Sequence, residues 1–342
     1  AMFALTGRPL TLLFIAMTPV MLIGAWITTR RRDKKKLGKQ ISRFDEGLAE
    51  LAERLEGEKK IEQRLRVAEI PSSAEVLSAA TQLSPLLWTR RPEHWNFLSL
   101  RLGTASMPSR NTIDDDQRGD LLFEFQERLD AVADEHRLVD DVPIVVEFGE
   151  SGAIGIAGEK ESAADVVASV LVQLTGLHSP AELIVTAALT PEWAATLDWL
   201  KWLPHATSPH SPFSGNHLAA TEPAVAALLN DLEDLITARE REVKRAREEA
   251  RGAISAEGSA LEAGAKVGQG AGGPSRAPRP LPAVVVVVSD QASRDRGRIV
   301  DLSERGADVG VYPVWVARDA TLLPAVCRTF VAVAPDPAQP PL

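Results

Sequence analysis

The apolar positions change period along the chain, and each change marks a different kind of element. Leu10 to Thr29 reads LTLLFIAMTPVMLIGAWITT, 20 residues without a charge. A helix of that length rises roughly 30 Å, the thickness of a bilayer's hydrocarbon core, and residues such as Pro19 and Gly24 are tolerated in membrane helices. From Leu37 the apolar residues step by 4, 3, 4, 3 and 4 through Ile41, Phe44, Leu48, Leu51 and Leu55. That spacing predicts a helix from about Lys34 to Glu69 with one apolar seam. The seam suits either a stalk paired with a neighbouring helix or an amphipathic helix lying on its own domain. Its register slips at Ile61, Leu65 and Ala68, and Pro71 follows.

Further on the period shortens. Phe97, Leu98, Leu100 and Leu102 predict a strand ending at Gly103. From Pro143 the segments PIVVEF, AIGIAG, LIVTAAL, AVVVVVSD and CRTFVAVA predict strands, and DLSERGADVGVYPVWVARDA a helix end followed by a strand. Runs without polar alternation belong to strands covered on both faces. Between them Ser162–Leu177, PEWAATLDWLKWLPH and Glu222 to about Arg251 predict helices. Alternating strands and helices predict an α/β body with a mostly parallel sheet flanked by helices. Gly252–Pro282, rich in Gly, Ala and Pro, predicts a flexible insert, and residues 335–342 a Pro-rich linker toward further domains.

Charge orients the first element. RRRDKKKLGK follows the apolar run, with seven Lys/Arg between Arg30 and Lys39. Such a block beside a span marks the cytoplasmic side, and Trp26 suits an interface anchor. A signal peptide would carry its basic residues before the apolar run; a buried soluble helix is the other alternative. The start, AMFALTG, has no methionine at position 1 and leaves room for residues, and a further span, upstream. The expected division is a flank at 1–9, a transmembrane helix at 10–29, a basic block and stalk at 30–83, and an α/β domain at 84–334. The net charge of −9 argues against a chain built mainly to coat nucleic acid. The single cysteine, Cys327, excludes a disulfide framework or a Cys-based metal site and reads as core filler.

One stretch carries candidate chemistry. In GAIGIAGEKES a strand, a glycine, a lysine and a hydroxyl residue precede a helix, the order of a phosphate-binding loop. The candidate positions are Gly158, Lys160 and Ser162. A working loop needs G-x-x-x-x-G-K-[ST], whose backbone N–H groups wrap the phosphates. Here Lys160 is followed by Glu161, no glycine directly precedes it, and Glu159 and Glu161 put negative charge where phosphates would sit. A pairing of Lys160 with either acid, or exposure to solvent, is expected. The valine run ending at Asp290 has the layout of a magnesium-facing strand end, but Gln291 stands where an acid would orient water. Asp290 is expected to pair with a nearby arginine. No catalytic constellation stands out elsewhere. HATSPHSPFSGNH, with His205, His210 and His217, reads as a polar loop more readily than a metal site, and Ser151 matches no nucleophile elbow. Trp88, Arg90, Arg91 and Trp95 read as structural docking more readily than as a nucleic-acid patch.

The order of these pieces resembles the N-terminal half of the FtsK/SpoIIIE-family membrane ATPases, most of all the EccC component of type VII (ESX) secretion systems. The resemblance rests on the span, basic block and stalk, on LWTRRPEHWNFLSLRLGTA, on GIAGEKESAADVVASVLVQLTGLHSPAELIV and on ERGADVGVYPVWVARDATLLPAVCRTFVAV. It implies a RecA-like domain with a degenerate nucleotide site and no cofactor of its own. It also implies downstream domains using ATP and magnesium, self-association, and partnership with the membrane and other secretion subunits. The implied location is the plasma membrane of a bacterium, actinobacterial by this resemblance, with the bulk of the chain cytoplasmic. Secreted proteins would be moved through the downstream domains. The alternatives are the anchor of an FtsK-like DNA translocase, the one case in which DNA is a partner, and a stand-alone membrane-tethered interaction protein. The Gly/Ala-rich insert and the single span depart from mycobacterial EccC.

Overall fold

The computed structural model describes the backbone of residues 9–112, 123–261 and 280–334, with side chains throughout except at 9–25, 27–29 and 250–261. Residues 1–8 of the expected flank, most of the insert (262–279) and the linker at 335–342 lie outside the described residues. The chain divides into two compact units, residues 1–66 with 106–142, and 67–105 with 143–342. The boundary thus falls differently from the expected body at 84–334, because 106–142 groups with the first helix.

In the first unit, helix α1 runs unbroken from Pro9 to Glu69. Apart from Trp26, the side chains of the expected span at 10–29 lie outside the described residues. Among the described residues no helix is long and apolar enough to cross a membrane. Along the expected seam Leu37 is exposed, while Ile41, Phe44, Leu48, Leu51 and Leu55 are half-buried. Part of their cover is the chain's own helix α3 (Phe123–Glu135). Phe44 meets Phe125 edge-on at 4.6 Å, and Arg128 lies over the Phe44 ring and pairs with Asp45 at 2.7 Å. The register slips where Glu62, 7% exposed, takes over the inward face. Its carboxylate accepts from Ser109 Oγ at 2.6 Å and Arg110 N–H at 2.8 Å and pairs with Arg66 at 3.0 Å. Burial pushes this carboxyl up, but the Ser109 and Arg110 hydrogen bonds and the nearby arginines outweigh it and hold it below the usual range.

Strands β1 (Ser99–Pro108) and β2 (Leu138–Glu147) form a two-stranded ribbon along which the chain passes between units. Ser109 N–H donates to Arg137 at one end and Phe148 N–H to Leu98 at the other, so the strands run antiparallel. PIVVEF is therefore a strand but stands outside the large sheet.

The second unit holds that sheet: β3 (Ile154–Ala157), β4 (Leu183–Ala188), β5 (Leu218–Ala219), β6 (Ala283–Ser289), β7 (Val311–Ala317) and β8 (Thr329–Ala332), in the order β5-β4-β6-β7-β3-β8. Every neighbouring pair is parallel. Its helices are α2 (Ser73–Gln82), the single turn α4 (Phe148–Ser151), α5 (Lys160–Leu177), α6 (Pro191–Thr196), α7 (Glu222–Leu261) and α8 (Arg296–Ala307). Period-2 alternation along β6 divides its valines between two cores. Val285 and Val287 pack with Val167, Leu171 and Leu174 of α5. Val284, Val286 and Val288 pack with Leu228, Leu232 and Ile236 of α7 and Ile299 and Leu302 of α8. Both faces are dry, which is why the strand reads as an unbroken apolar run. Two expectations are corrected. PEWAATLDWLKWLPH is not one helix: α6 ends at Thr196 and gives way to 3-10 turns at Asp198–Trp202 and Pro204–Ala206, the two turns divided at Pro204, which has no N–H to continue the first. The helix from Glu222 also continues past Gly252 to Leu261, into the expected insert.

The carboxyl end of α5 is buried, and its last carbonyls need donors away from water. The LWTRRP stretch supplies them. Trp88 donates its ring N–H to Thr175 at 3.1 Å and its backbone N–H to Gly176 at 2.9 Å, and Arg90 N–H reaches Leu177 at 2.9 Å. His178 closes the turn with its backbone N–H on Leu174, and its ring Nδ1 lies 2.8 Å from the same carbonyl. Ring Nε2 then accepts from Leu98 N–H at 3.0 Å, and Gln173 exchanges two hydrogen bonds with the Arg101 backbone. Arg90, 3% exposed, donates to the Ser99 carbonyl beside the negative end of the helix dipole. Burial pulls its guanidinium down to about 10. On the same helix a Cβ at Gly176 would sit 2.3 Å from Val76 Cγ1, so only glycine lets α2 approach.

Two outcomes follow from this end of α5. Gly176→Ala should cost about 1–3 kcal/mol by overpacking, and Val76→Ala in the same chain should recover part of it in urea denaturation. Independent, additive losses would show that the two helices do not share that contact. For pH, burial first, then the nearby Arg90 and His205, press the His178 imidazole down to about 3, against the upward pull of its bond to Leu174. An unfolded histidine titrates near about 6.5. Between these values the unfolded chain binds a proton that the native ring refuses. Stability therefore falls as pH drops below about 6.5, by up to about 1.4 kcal/mol per pH unit from this group. His178→Gln should flatten the dependence of the urea midpoint between pH 7 and 5, and an unchanged slope would contradict the assignment.

Candidate functional site

The four positions singled out in the sequence all lie at the carboxyl edge of the parallel sheet, the edge where α/β folds place ligands. Gly158 directly follows β3, Lys160 and Ser162 occupy the first turn of α5, and Asp290 follows β6. Strand β7 stands between β3 and β6. Among the described residues no hydrogen bond or ion pair joins Lys160, Ser162 and Asp290.

The turn from β3 to α5 is two residues, Gly158 and Glu159, because α5 begins at Lys160, two positions earlier than its sequence pattern implies. A phosphate cradle needs successive N–H groups turned inward on a longer loop. Here the Gly158 N–H is already committed to the Ala317 carbonyl at 3.1 Å. Above it passes the segment after β8: Val333 N–H donates to Ala157 at 2.7 Å, and a Cβ at Gly158 would lie 2.9 Å from Val333 Cβ. Glycine is required by that crossing strand. Glu159 caps α5 without a side-chain hydrogen bond, so the acids flanking Lys160 do not close the helix end as direct caps.

Each charged candidate has an internal partner. The expected pairing of Lys160 with Glu159 or Glu161 is corrected: its partner is Glu192 on α6, Nζ to Oε1 3.7 Å. Glu192 also receives Arg318, at the end of β7, with one guanidinium nitrogen 3.3 Å from both carboxylate oxygens. A carboxylate on α6 thus sits between two cations, one at the start of α5 and one at the end of β7. Asp290 accepts from Arg296, the first residue of α8, at 2.7 Å and is 12% exposed at its side chain. The same guanidinium reaches the Leu322 carbonyl and lies 5.9 Å from the Trp315 ring centroid. Ser289, next to Asp290, accepts from Thr190 N–H at 2.7 Å. These residues do not fit a magnesium nucleotide: the loop is two residues long, its glycine N–H is used, and both key side chains hold protein charges.

Sequence reasoning missed Glu192, Arg318 and Arg296. Glu192 follows Thr190 and Pro191 and reads as an ordinary first-turn acid; only the sheet order brings it opposite Lys160. The histidines disperse. His205 is buried and its Nε2 lies 2.8 Å from the His178 carbonyl, while His217 Nε2 meets Ser211 Oγ at 2.6 Å. Among the described residues no group of His, Cys, Asp and Glu could hold a metal. Cys327 is buried, and burial pushes its thiol up to about 12, as core filler requires.

No family model matches the chain. Among curated proteins, it is 30% identical over 132 residues to the ESX-4 secretion system protein EccC4 of Mycobacterium tuberculosis, a match covering 37% of this chain and 10% of that protein. It is 27% identical over 145 residues to the ESX secretion system protein EccC of Geobacillus thermodenitrificans, covering 41% and 10%. The type VII secretion system protein EssC of Staphylococcus aureus is 23% identical over 209 residues, covering 57% and 14%. The chain thus spans about a tenth of the length of the first two relatives. Among solved structures, ATPases 2 and 3 of EssC from Geobacillus thermodenitrificans align with a TM-score of 0.42 at 11% identity, covering 71% of this chain and 37% of that one. The cytoplasmic domain of the Thermomonospora curvata type VII secretion ATPase EccC aligns at 0.41 and 17%, covering 72% and 24%. The homologues of this chain, over part of its length, are the EccC, EssC and YukB secretion ATPases, as its sequence signatures imply.

Half-exposed ion pairs stabilise by about 0–1 kcal/mol. Lys160→Ala should therefore move the urea midpoint little, whereas Gly158→Val should cost several times more by clashing with Val333. Equal costs would show that Lys160 is held by something other than Glu192.

Proposed function

We propose, from homology to the EccC, EssC and YukB secretion ATPases, that this chain is the membrane-anchored stalk and nucleotide-free scaffold of a type VII secretion motor. The observation that carries the scaffold half is the internal neutralisation of the site. Glu192 lies between Lys160 and Arg318 where a terminal phosphate would be sought, and Arg296 holds Asp290 away from magnesium. The sheet supports a RecA-like lineage, because one strand, β7, separates the lysine-bearing and aspartate-bearing strands. The frame is kept because the packing of α5 needs it, while the cradle is gone. ATP and magnesium belong to downstream domains of the full motor, and so does the movement of secreted proteins.

The anchor half rests on the uncharged run Leu10–Thr29 followed by seven cations, which supports a span with the later residues cytoplasmic. Self-association through the stalk and the ATPase-like body, and contact with other secretion-complex subunits, complete the reading. The names of the relatives favour protein over DNA as the moved polymer.

Titration of the 342-residue chain with MgATP in a calorimeter should give no binding heat at millimolar nucleotide. Micromolar binding that Lys160→Ala abolishes would make this a divergent working ATPase and sink the scaffold reading. Release from bacterial membranes by alkaline carbonate would separately sink the anchor.

A further inference from the structure

We infer that the collar Arg30–Lys39 is a recognition surface for the headgroups of anionic phospholipids. The inference rests on the anchor reading above and gives that anchor a lipid preference. Three observations carry it. First, Arg30, Arg31, Arg32, Lys34, Lys35, Lys36 and Lys39 are all exposed on α1, and among the described residues no carboxylate pairs with any of them. Elsewhere on the same helix acids and bases do pair, as in Glu56 with Lys60 and Glu62 with Arg66. The collar holds seven cations and one acid, Asp33, whereas some of the later charges on the helix pair with each other or with residues of other elements, as Lys59 does with Asp140.

Second, the cations form a ring and not a stripe. At about 100° per residue they cover about two thirds of the helix circumference, and Asp33 stands in the remaining sector. A helix lying flat on a surface needs an apolar flank with cations to one side. A ring suits a helix that rises through the headgroup layer and meets phosphates on most sides. The collar extends about 14 Å along the axis, at about 1.5 Å per residue. That matches a headgroup region together with the adjoining layer over which surface charge is felt, a Debye length of about 8 Å.

Third, Trp26 lies one turn before the collar, 58% exposed, with the Arg30 guanidinium 4.7 Å from its ring centroid. An indole at the boundary of an apolar run belongs at the level where hydrocarbon meets headgroup. This sets Arg30 at phosphate depth and leaves Lys34 to Lys39 in the diffuse layer beyond. Lipid is favoured over nucleic acid because the ring follows a 20-residue uncharged run and no stacking platform accompanies it, Trp26 being engaged by Arg30.

The test reconstitutes the full chain into phosphatidylcholine bilayers containing a trace of spin-labelled phosphatidylglycerol or spin-labelled phosphatidylcholine. The motionally restricted fraction of each is read by electron paramagnetic resonance. At 0.1 M salt the anionic lipid should be held about two- to fivefold more strongly. The ratio should fall toward one at 1 M salt, where the Debye length is about 3 Å. Replacing all seven cations with Gln should abolish the preference, and Lys34→Gln, Lys35→Gln and Lys36→Gln together should leave an intermediate value. Equal restriction of both lipids by the native chain, or a preference untouched by salt and by the substitutions, would overturn the inference. Loss of the preference on adding stoichiometric duplex DNA would assign the ring to nucleic acid and overturn it too. A chain that alkaline carbonate strips from vesicles, yet that binds phosphatidylglycerol vesicles in a salt-reversible way, would fail the anchor and keep the collar.

Discussion

Helix α5 ends inside the protein. Thr175, Gly176, Leu177 and His178 are all buried there. Leaving a buried carbonyl unpaired costs about 1–3 kcal/mol, so this end has to be answered by donors from elsewhere in the chain. Trp88, Arg90 and the His178 backbone give that answer, and the same contacts fix where β1 starts. α5 in turn carries the apolar face that closes one side of the sheet, with Val167, Leu171 and Leu174 against Val285 and Val287. The segment before the sheet, the helix against it and the central strand are therefore one packed unit.

Packing alone accounts for the strand, the glycine and the helix at this locus. Gly158 is kept for the close crossing of Val333, and Gly155 for Leu323, whose Cδ1 would lie 2.6 Å from an added Cβ. Both are packing requirements. Lys160 and Asp290 each have a partner within the protein. An aspartate left alone at a strand end, or a lysine left alone at a helix start, would invite a counter-ion; Arg296 and Glu192 take those places. Residues that once read as chemistry now read as electrostatic closure.

Much of the second unit was legible in the sequence because it follows from burial. AVVVVVSD has no polar alternation, and β6 has two dry faces. WTRRP and GLHSP were visible as motifs, but their meaning as the two halves of one helix cap was not, since it depends on residues nearly ninety positions apart meeting at Gly176. PIVVEF was legible as a strand and not as part of a separate ribbon, because periodicity says nothing about which sheet a strand joins. The slip in the α1 seam was visible, while its cause, the inward Glu62, needs the Ser109 and Arg110 donors that only the fold brings near. In the candidate site the lone lysine and the missing loop could be read directly. The partners could not, because Glu192 and Arg318 become neighbours only through the order of the strands.

The central claim is that this site is closed by the protein's own charges and packing. Hydrogen exchange of the backbone amides at 157–163 and 289–291, with and without millimolar MgATP, tests it most directly. The account predicts identical protection in both conditions, since the Gly158 and Asp290 amides are already bonded to Ala317 and Val316. Protection gained at those amides on adding nucleotide would mean that phosphates displace these contacts, and would contradict it.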